Sequence, residues 1–365
     1  MIVLLYTLLV RAQDGPKMVI DEDCQTFDIA QNNAIVYAVP HIKEVKRLTF
    51  ERDDIAIATG GGKTRRIVDA DKFMSWPPHR GYIVNSLAWA PDGHHIAVNM
   101  TLQAAPPGFD DKTSKKKGEL EELDAEEERK PPSAAEGNGR AIALLDDDGH
   151  EIKVAGLKTR FLEGAFGGTW LADGESVVYL TGGSAFTIMR VRPADGKASA
   201  LFEGHTFNTV IWDAPRNRAF AITDTLGIHR GLTLVELDLL HETVTDIAHV
   251  ENYQGSLALS PSGKKIGFFE DGDYVDVVDV LHPSKPLRVR VGFGRFGWSK
   301  DERRILLKRG PADKSNILLW VGLYDGSFRS ILHDLEFRNF EIAPDGETIA
   351  VTTPGKRVLK VYSLE

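Results

Sequence analysis

Short apolar stretches recur along this chain, each interrupted by a tight polar turn and followed by a second apolar stretch. Ser86–Val98 reads SLAWAPDGHHIAV, Thr169–Leu180 reads TWLADGESVVYL, Ser256–Phe269 reads SLALSPSGKKIGFF and Phe340–Val351 reads FEIAPDGETIAV. Looser copies begin at Val210 (VIWDAPRNRAFAI), Phe296 (FGWSKDERRILL) and Thr26 (TFDIAQNNAIVYAV). Short apolar runs bounded by Pro, Asp and Gly predict β-strands joined by hairpins. The turns have a mechanism: Pro fixes φ, Asp bonds the local backbone and Gly accepts positive φ.

The residue before each turn is Ile29, Trp89, Trp170, Trp212, Leu259, Trp298 or Ile342, at intervals of 60, 81, 42, 47, 39 and 44 residues. Most of these match the roughly 40–45 residues of a four-stranded repeat. Second turns follow at Gly60-Gly61-Gly62, Asp148-Gly149, Asp195-Gly196 and Asp325-Gly326. Two hairpin turns per unit predict four antiparallel strands. The expected fold is therefore all-β, a seven-bladed β-propeller of four-stranded antiparallel blades. A sandwich would not repeat one turn signature, and a solenoid would leave two exposed ends. The last unit holds three strands, Phe340–Ala343, Thr348–Thr353 and Val358–Leu364. The segment Lys17–Asp21 has no other place, so it is expected to pair as the outer strand of the last blade and close the ring.

Two stretches fall outside the repeats. Ile2–Val10 (IVLLYTLLV) is too short for a membrane-spanning helix, which needs about 20 residues. It matches the apolar core of a signal peptide over residues 1–12, with a cut after Ala12, although no Lys or Arg precedes it. The competing reading is an apolar strand. A cut there leaves 13–365 as a single propeller domain in the periplasm or outside the cell; a cytoplasmic chain is the alternative. The long interval holds the charged stretch 103–140, where Asp110–Lys130 carries nine acidic and six basic residues. Such a stretch buries too little to offset its ordering entropy and reads as a loop insertion, or as a docking segment for a basic partner. Asp71–Tyr82 (DKFMSWPPHRGY) reads as a longer connection over one face of the ring.

Composition narrows the chemistry. The net charge of −9 argues against nucleic-acid binding, which needs a basic face. One cysteine, Cys24, excludes an internal disulfide and a multi-cysteine metal site. No cofactor or metal is expected, and the chain is expected to be a monomer. Thr59–Thr64 (TGGGKT) lacks the first glycine of a phosphate loop, since Ile57 stands there, and reads as a hairpin turn. Asp146-Asp147-Asp148-Gly149 lacks the flanking ligands of a calcium loop and also reads as a turn. Asn99-Met100-Thr101 fits a glycosylation sequon. There is no G-x-S-x-G elbow and no H-E-x-x-H pair. His94 and His95 read as exposed turn residues. Trp89, Trp170, Trp212 and Trp298, at one repeat position, read as packing residues between blades. Arg288, Arg290, Arg295, Arg303, Arg304, Lys308 and Arg309 make one region basic, read as a solvated surface with an anionic ligand near Arg295 as the lesser reading.

Ala90-Pro91-Asp92-Gly93, Ser260-Pro261-Ser262-Gly263 and Ala343-Pro344-Asp345-Gly346 resemble the WD40-like repeats of TolB-type propellers, over residues 22 to 365. The Gly-His and Trp-Asp signature of true WD40 repeats does not recur at blade ends. The resemblance implies the fold and an extracytoplasmic setting. The N-terminal α/β domain of TolB has no counterpart, nor does the hydrolase domain of prolyl-oligopeptidase-type enzymes.

Propellers bind at the mouth of the central channel, where the chain leads into the innermost strands. Besides Gln25, the residues there are Tyr82, Asn85, Phe166, Phe207, Asn208, Tyr253, Gln254, Arg295, Arg338 and Asn339. Aromatics, amides and two arginines suit a protein or peptide partner. The first expectation is thus a non-catalytic, exported propeller that binds such a partner through one face. The alternatives are a lactonase- or lyase-like propeller enzyme with a channel metal and a cytosolic scaffold; the rim holds almost none of the carboxylates and histidines such a metal needs.

Overall fold

The computed structural model describes residues 15–45, 48–60, 62–70, 79–104, 138–157, 161–183, 185–224, 231–271, 274–283, 286–291, 295–309, 317–331 and 337–364. The segment 1–12 and most of the charged insertion lie outside them. The described residues form an all-β propeller. In chain order the strands are β1 (Met18–Ile20), β2 (Thr26–Ile29), β3 (Ile35–Val45), β4 (Leu48–Thr59), β5 (Lys63–Val68), β6 (His79–Trp89), β7 (His95–Ala104), β8 (Asn138–Asp146) and β9 (Leu162–Glu163). They continue as β10 (Phe166–Trp170), β11 (Val177–Gly182), β12 (Phe186–Arg192), β13 (Lys197–Leu201), β14 (Thr209–Asp213), β15 (Arg218–Asp224), β16 (Leu232–Asp238), β17 (Thr243–Val250), β18 (Ala258–Leu259) and β19 (Lys265–Glu270). The last are β20 (Tyr274–Asp279), β21 (Leu287–Arg290), β22 (Phe296–Trp298), β23 (Arg304–Arg309), β24 (Ile317–Gly322), β25 (Phe328–Ile331), β26 (Asn339–Ile342), β27 (Thr348–Thr352) and β28 (Leu359–Ser363). Among the described residues no helix is long and apolar enough to cross a membrane.

The expectation of seven separate four-stranded blades needs correction. Five four-stranded blades stand as independent sheets: β10–β13, β14–β17, β18–β21, β22–β25, and β26–β28 with β1. The strands β2–β9 instead form one eight-stranded sheet. Its two halves meet where β4 and β6 run parallel, with Arg52 opposite Tyr82. The cause is local. The β3–β4 hairpin is unusually long, at 11 and 12 residues, and reaches β6. Tyr82 donates its hydroxyl proton to the Asp53 carbonyl at 2.6 Å, and Val84 N–H donates to Asp53 Oδ2 at 2.6 Å. The other Asp53 oxygen, Oδ1, is buried without a partner, and burial pushes this carboxyl up to about 7.

The repeated turns behave alike, including the degenerate copies. Asn33, Gly93, Gly174, Asn217, Gly263, Glu302 and Gly346 all take the left-handed backbone at one turn position, with φ between 51° and 71°. Among these turns glycine is required most at Gly346, where a Cβ would lie 2.6 Å from the Lys300 backbone nitrogen. Neighbouring turns are bonded to each other: Ala172 N–H to Asn217 Oδ1, Arg216 to the Pro261 carbonyl, Ser262 N–H to Glu302, and Lys300 to Glu347. The charged insertion falls between β7 and β8, which pair antiparallel as far as Gln103 opposite Asn138.

The core is a series of apolar clusters, each filling the space between one sheet and the next. Phe202, Phe207 and Leu237 belong to the cluster between β10–β13 and β14–β17; Phe268 and Phe220 to the next; Phe269, Phe296 and Trp298 to the next. One cluster lies between the halves of the eight-stranded sheet, around Tyr82, Ile96 and Phe161. The series returns on itself: Phe27, Ile29 and Tyr37 pack against Ala350, Leu359 and Val361. The tryptophans pack here as expected. Trp212 Nε1 donates to the Gly167 carbonyl at 2.6 Å and Trp298 Nε1 to the Ala258 carbonyl at 3.1 Å, each reaching the preceding sheet.

At that junction β1 lies antiparallel on β28, Met18 opposite Val361 and Ile20 opposite Leu359. Arg357 grips Asp23 with two bonds, at 2.5 and 2.7 Å, and this holds the Asp23 carboxyl below the usual range. Lys356 bonds Asp21 at 2.9 Å. Cys24 is fully buried beside them; its Sγ–H faces the Thr26 carbonyl at 3.6 Å, and burial pushes the thiol up to about 12.

Two outcomes are expected. Arg357→Ala should cost about 1 kcal/mol, because the pair is partly exposed. A chain starting at Asp21 should lose at least about 2 kcal/mol, through the lost strand pairing and the burial of Ile20. Urea midpoints check both; unchanged midpoints would remove the seam from the account of stability. A further outcome concerns pH. Folded Asp53 keeps its proton up to about pH 7, whereas an unfolded aspartate releases it near 3.9. Its contribution is therefore present at acid pH and is lost as pH rises through that window. Asp53→Asn should fare better relative to the parent at pH 8 than at pH 5, and equal differences at both values would contradict it.

Candidate functional site

Strands β2, β6, β10, β14, β18, β22 and β26 each begin a sequence repeat, and β14, β18, β22 and β26 border a channel. A cavity of about 920 Å³ runs along β14, β18, β22 and β26. Its wall is largely apolar, with Ile211, Trp212, Leu257, Leu259, Trp298, Phe340 and Ile342. Pro215, Pro261, Pro344 and Gln31, from the repeated turns, line one end; Ser256 and Arg295 lie toward the other.

Alternation along the first strands puts polar side chains inward. In β2, Phe27 and Ile29 are buried and Asp28 is only half-buried; in β26, Phe340 is buried and Glu341 is half-buried. Glu341 lines the cavity. Its carboxyl is raised above the usual range, first by removal from water and then by the neighbouring Asp28 charge, with Arg295 pulling the other way. Asp28 is raised by burial, against the pull of the Trp89 N–H that it accepts at 2.7 Å. Two carboxyls this close, in a partly dry channel, hold a proton more readily than either would alone. Among the described residues no cluster of three His, Cys, Asp or Glu side chains could hold a metal.

The structure distributes the expected rim residues unevenly. Tyr82 and Phe207 are 0 % exposed and serve the core, so they leave the rim. Asn85 is exposed and donates to Thr101 Oγ1 at 2.9 Å. Phe166 is half-buried under the Arg140 guanidinium, 4.3 Å from the ring centroid, and edge-on to Phe186. Asn208 is half-buried and donates to the Ile222 carbonyl through its backbone; Tyr253 is half-buried and its hydroxyl is raised by burial; Gln254 is exposed. Gln25 keeps its side-chain oxygen buried without a partner. Arg295, Arg338 and Asn339 are exposed, and of the expected residues only Arg295 lines the cavity.

Sequence reasoning missed Asp28 and Glu341, and read Lys308 only as part of a basic surface. The alternation in TFDI and NFEI carried the signal for the first two. Lys308 follows from pairing: it stands beside Arg295, donating its backbone N–H to the Arg295 carbonyl at 2.9 Å, while its Nζ reaches the Arg338 carbonyl at 2.5 Å. The basic stretch thus divides. Arg288 is neutralised by Glu270, Asp271 and Asp276, and Arg304 faces Asp301 at 3.5 Å. Arg295, Lys308 and Arg338 gather at the mouth.

No family model matches this chain, and no curated protein matches it. Solved structures do. A chain in the crystal structure of the mitotic checkpoint complex aligns with a TM-score of 0.57 and 11 % identity over 96 % of this chain and 92 % of that one. The β-propeller domain of Cps50 (Swd1) from Myceliophteria thermophila aligns with a TM-score of 0.57 and 12 % identity over 95 % of this chain and 99 % of that one. At this identity the likeness establishes the β-propeller fold.

The carboxyl pair gives a direct expectation. Asp28→Asn should lower the Glu341 pKa while leaving it above an ordinary glutamate, because burial acts before the charge. Carboxyl carbon shifts followed through a pH titration would show it, and a Glu341 curve that does not move would dissolve the coupling.

Proposed function

We propose that this chain is a non-catalytic binding propeller that docks a protein or peptide partner at the channel mouth beside Arg295, Arg338 and Asn339. The observation that carries the reading is an open cavity of about 920 Å³, largely apolar in its wall, with exposed Arg295 lining one end. An apolar pocket bordered by polar groups is the pattern by which a protruding side chain is held and a peptide backbone oriented. A fold neighbour drawn from the mitotic checkpoint complex supports a role in protein association. The SPDG-type repeats support a TolB-like affiliation, and the apolar run Ile2–Val10 supports export.

A photo-crosslinking residue at Asn339 tests the docking site against one at Thr243 on the outer strand β17. A discrete protein captured from the host at Asn339 and absent at Thr243 is the expected result. Equal capture at both positions, or capture at Thr243 alone, would overturn the mouth as the docking site.

A further inference from the structure

Three cations meet at one end of the channel. Arg295 leads into β22, Arg338 leads into β26, and Lys308 lies between them near the end of β23. Lys308 Nζ donates to the Arg338 carbonyl, which fixes the ammonium against the neighbouring sheet. Arg295 lies over the Phe340 ring, 5.9 Å from its centroid, and Lys308 over Phe337 at 5.9 Å. Among the described residues none of the three is ion-paired to a carboxylate. Arg288 on the preceding sheet is held by three carboxylates and Arg304 on β23 faces Asp301, unlike this trio.

Among the described residues, Asp23 and Glu341 are the acids that feel these cations, and each is otherwise engaged. Asp23 is held by two bonds from Arg357. Glu341 sits further down the channel, where burial and Asp28 favour its protonated form. The Lys308 ammonium is itself held below the usual lysine range, by burial first and then by Arg295 and Arg338. Like charges kept this close raise the free energy of the empty mouth, and an arriving anion lowers it. The whole molecule carries −9, so its long-range field repels acidic chains. Attraction at this point is therefore local and selective.

We propose that the mouth formed by Arg295, Lys308 and Arg338 recognises an acidic peptide segment, taking a carboxylate side chain between the guanidinium groups while neighbouring residues of the peptide lie toward the apolar channel. The inference rests on the docking reading above and adds the chemistry of the partner. The guanidinium groups supply paired donors that match a carboxylate, and the ammonium supplies a point charge. The Phe337 and Phe340 rings beneath hold the cation stems in place.

The test uses the full chain and fluorescent octapeptides of alternating Glu and Gly, with Gln and Lys counterparts, read by anisotropy. The Glu peptide should bind about tenfold or more tightly than the Gln peptide, and the Lys peptide least of all. The double variant Arg295→Gln with Arg338→Gln should remove the preference for Glu, with an unchanged urea midpoint because both side chains are exposed. Lys197→Gln, on the outer strand β13, should change nothing. A Gln peptide that binds as tightly as the Glu peptide and crosslinks at Asn339 would sink the acidic preference and leave mouth docking standing. A Glu peptide that binds equally well to the double variant, or no binding by any peptide, would also overturn the inference; the Asn339 capture experiment judges the docking site separately.

Discussion

Every buried face in this molecule is covered by the sheet beside it, and the series is complete only where the first sheet meets the last. Phe27, Ile29, Ile35 and Tyr37 share one cluster with Ala343, Ala350, Leu359 and Val361 of the last sheet. The covering depends on β1, which caps β28, and on the Arg357–Asp23 pair that ties down the chain between β1 and β2. Apolar burial supplies the attraction, while strand pairing and the ion pair set its register. Because the first strands derive their placement from this closure, the shape of the channel does too.

The channel that results is electrically uneven. Its mouth gathers Arg295, Lys308 and Arg338, and its interior holds Asp28 and Glu341 with their carboxyls raised. Arg295 lies between the two regions and acts on both. The interior carboxyls are withdrawn from water, so their charges are felt further than they would be on an open surface.

Turn chemistry made the repeat legible, down to the copies ending in Asn33, Asn217 and Glu302, whose residues are poor signals by themselves but share one backbone conformation. The shared tryptophan position was legible as packing. The merged sheet was not, because the contact of Arg52 with Tyr82 depends on hairpin length in space and leaves no periodic trace. Tyr82 and Phe207 looked like rim residues from their places along the chain, but the structure buries both in the core. The channel carboxyls were within reach of the alternation in TFDI and NFEI. Lys308 was not, since only the pairing of β22 with β23 brings it beside Arg295.

Cys24 sits inside the seam, with its thiol pushed up to about 12 and no exposed surface. Reactivity belongs to the thiolate, which at neutral pH is almost absent in the closed molecule. An alkylating reagent therefore meets this sulfur only in moments when the first and last sheets part. The single thiol is a built-in clock for the breathing of the ring, and its modification would wedge the joint open at the very place where circular closure is made.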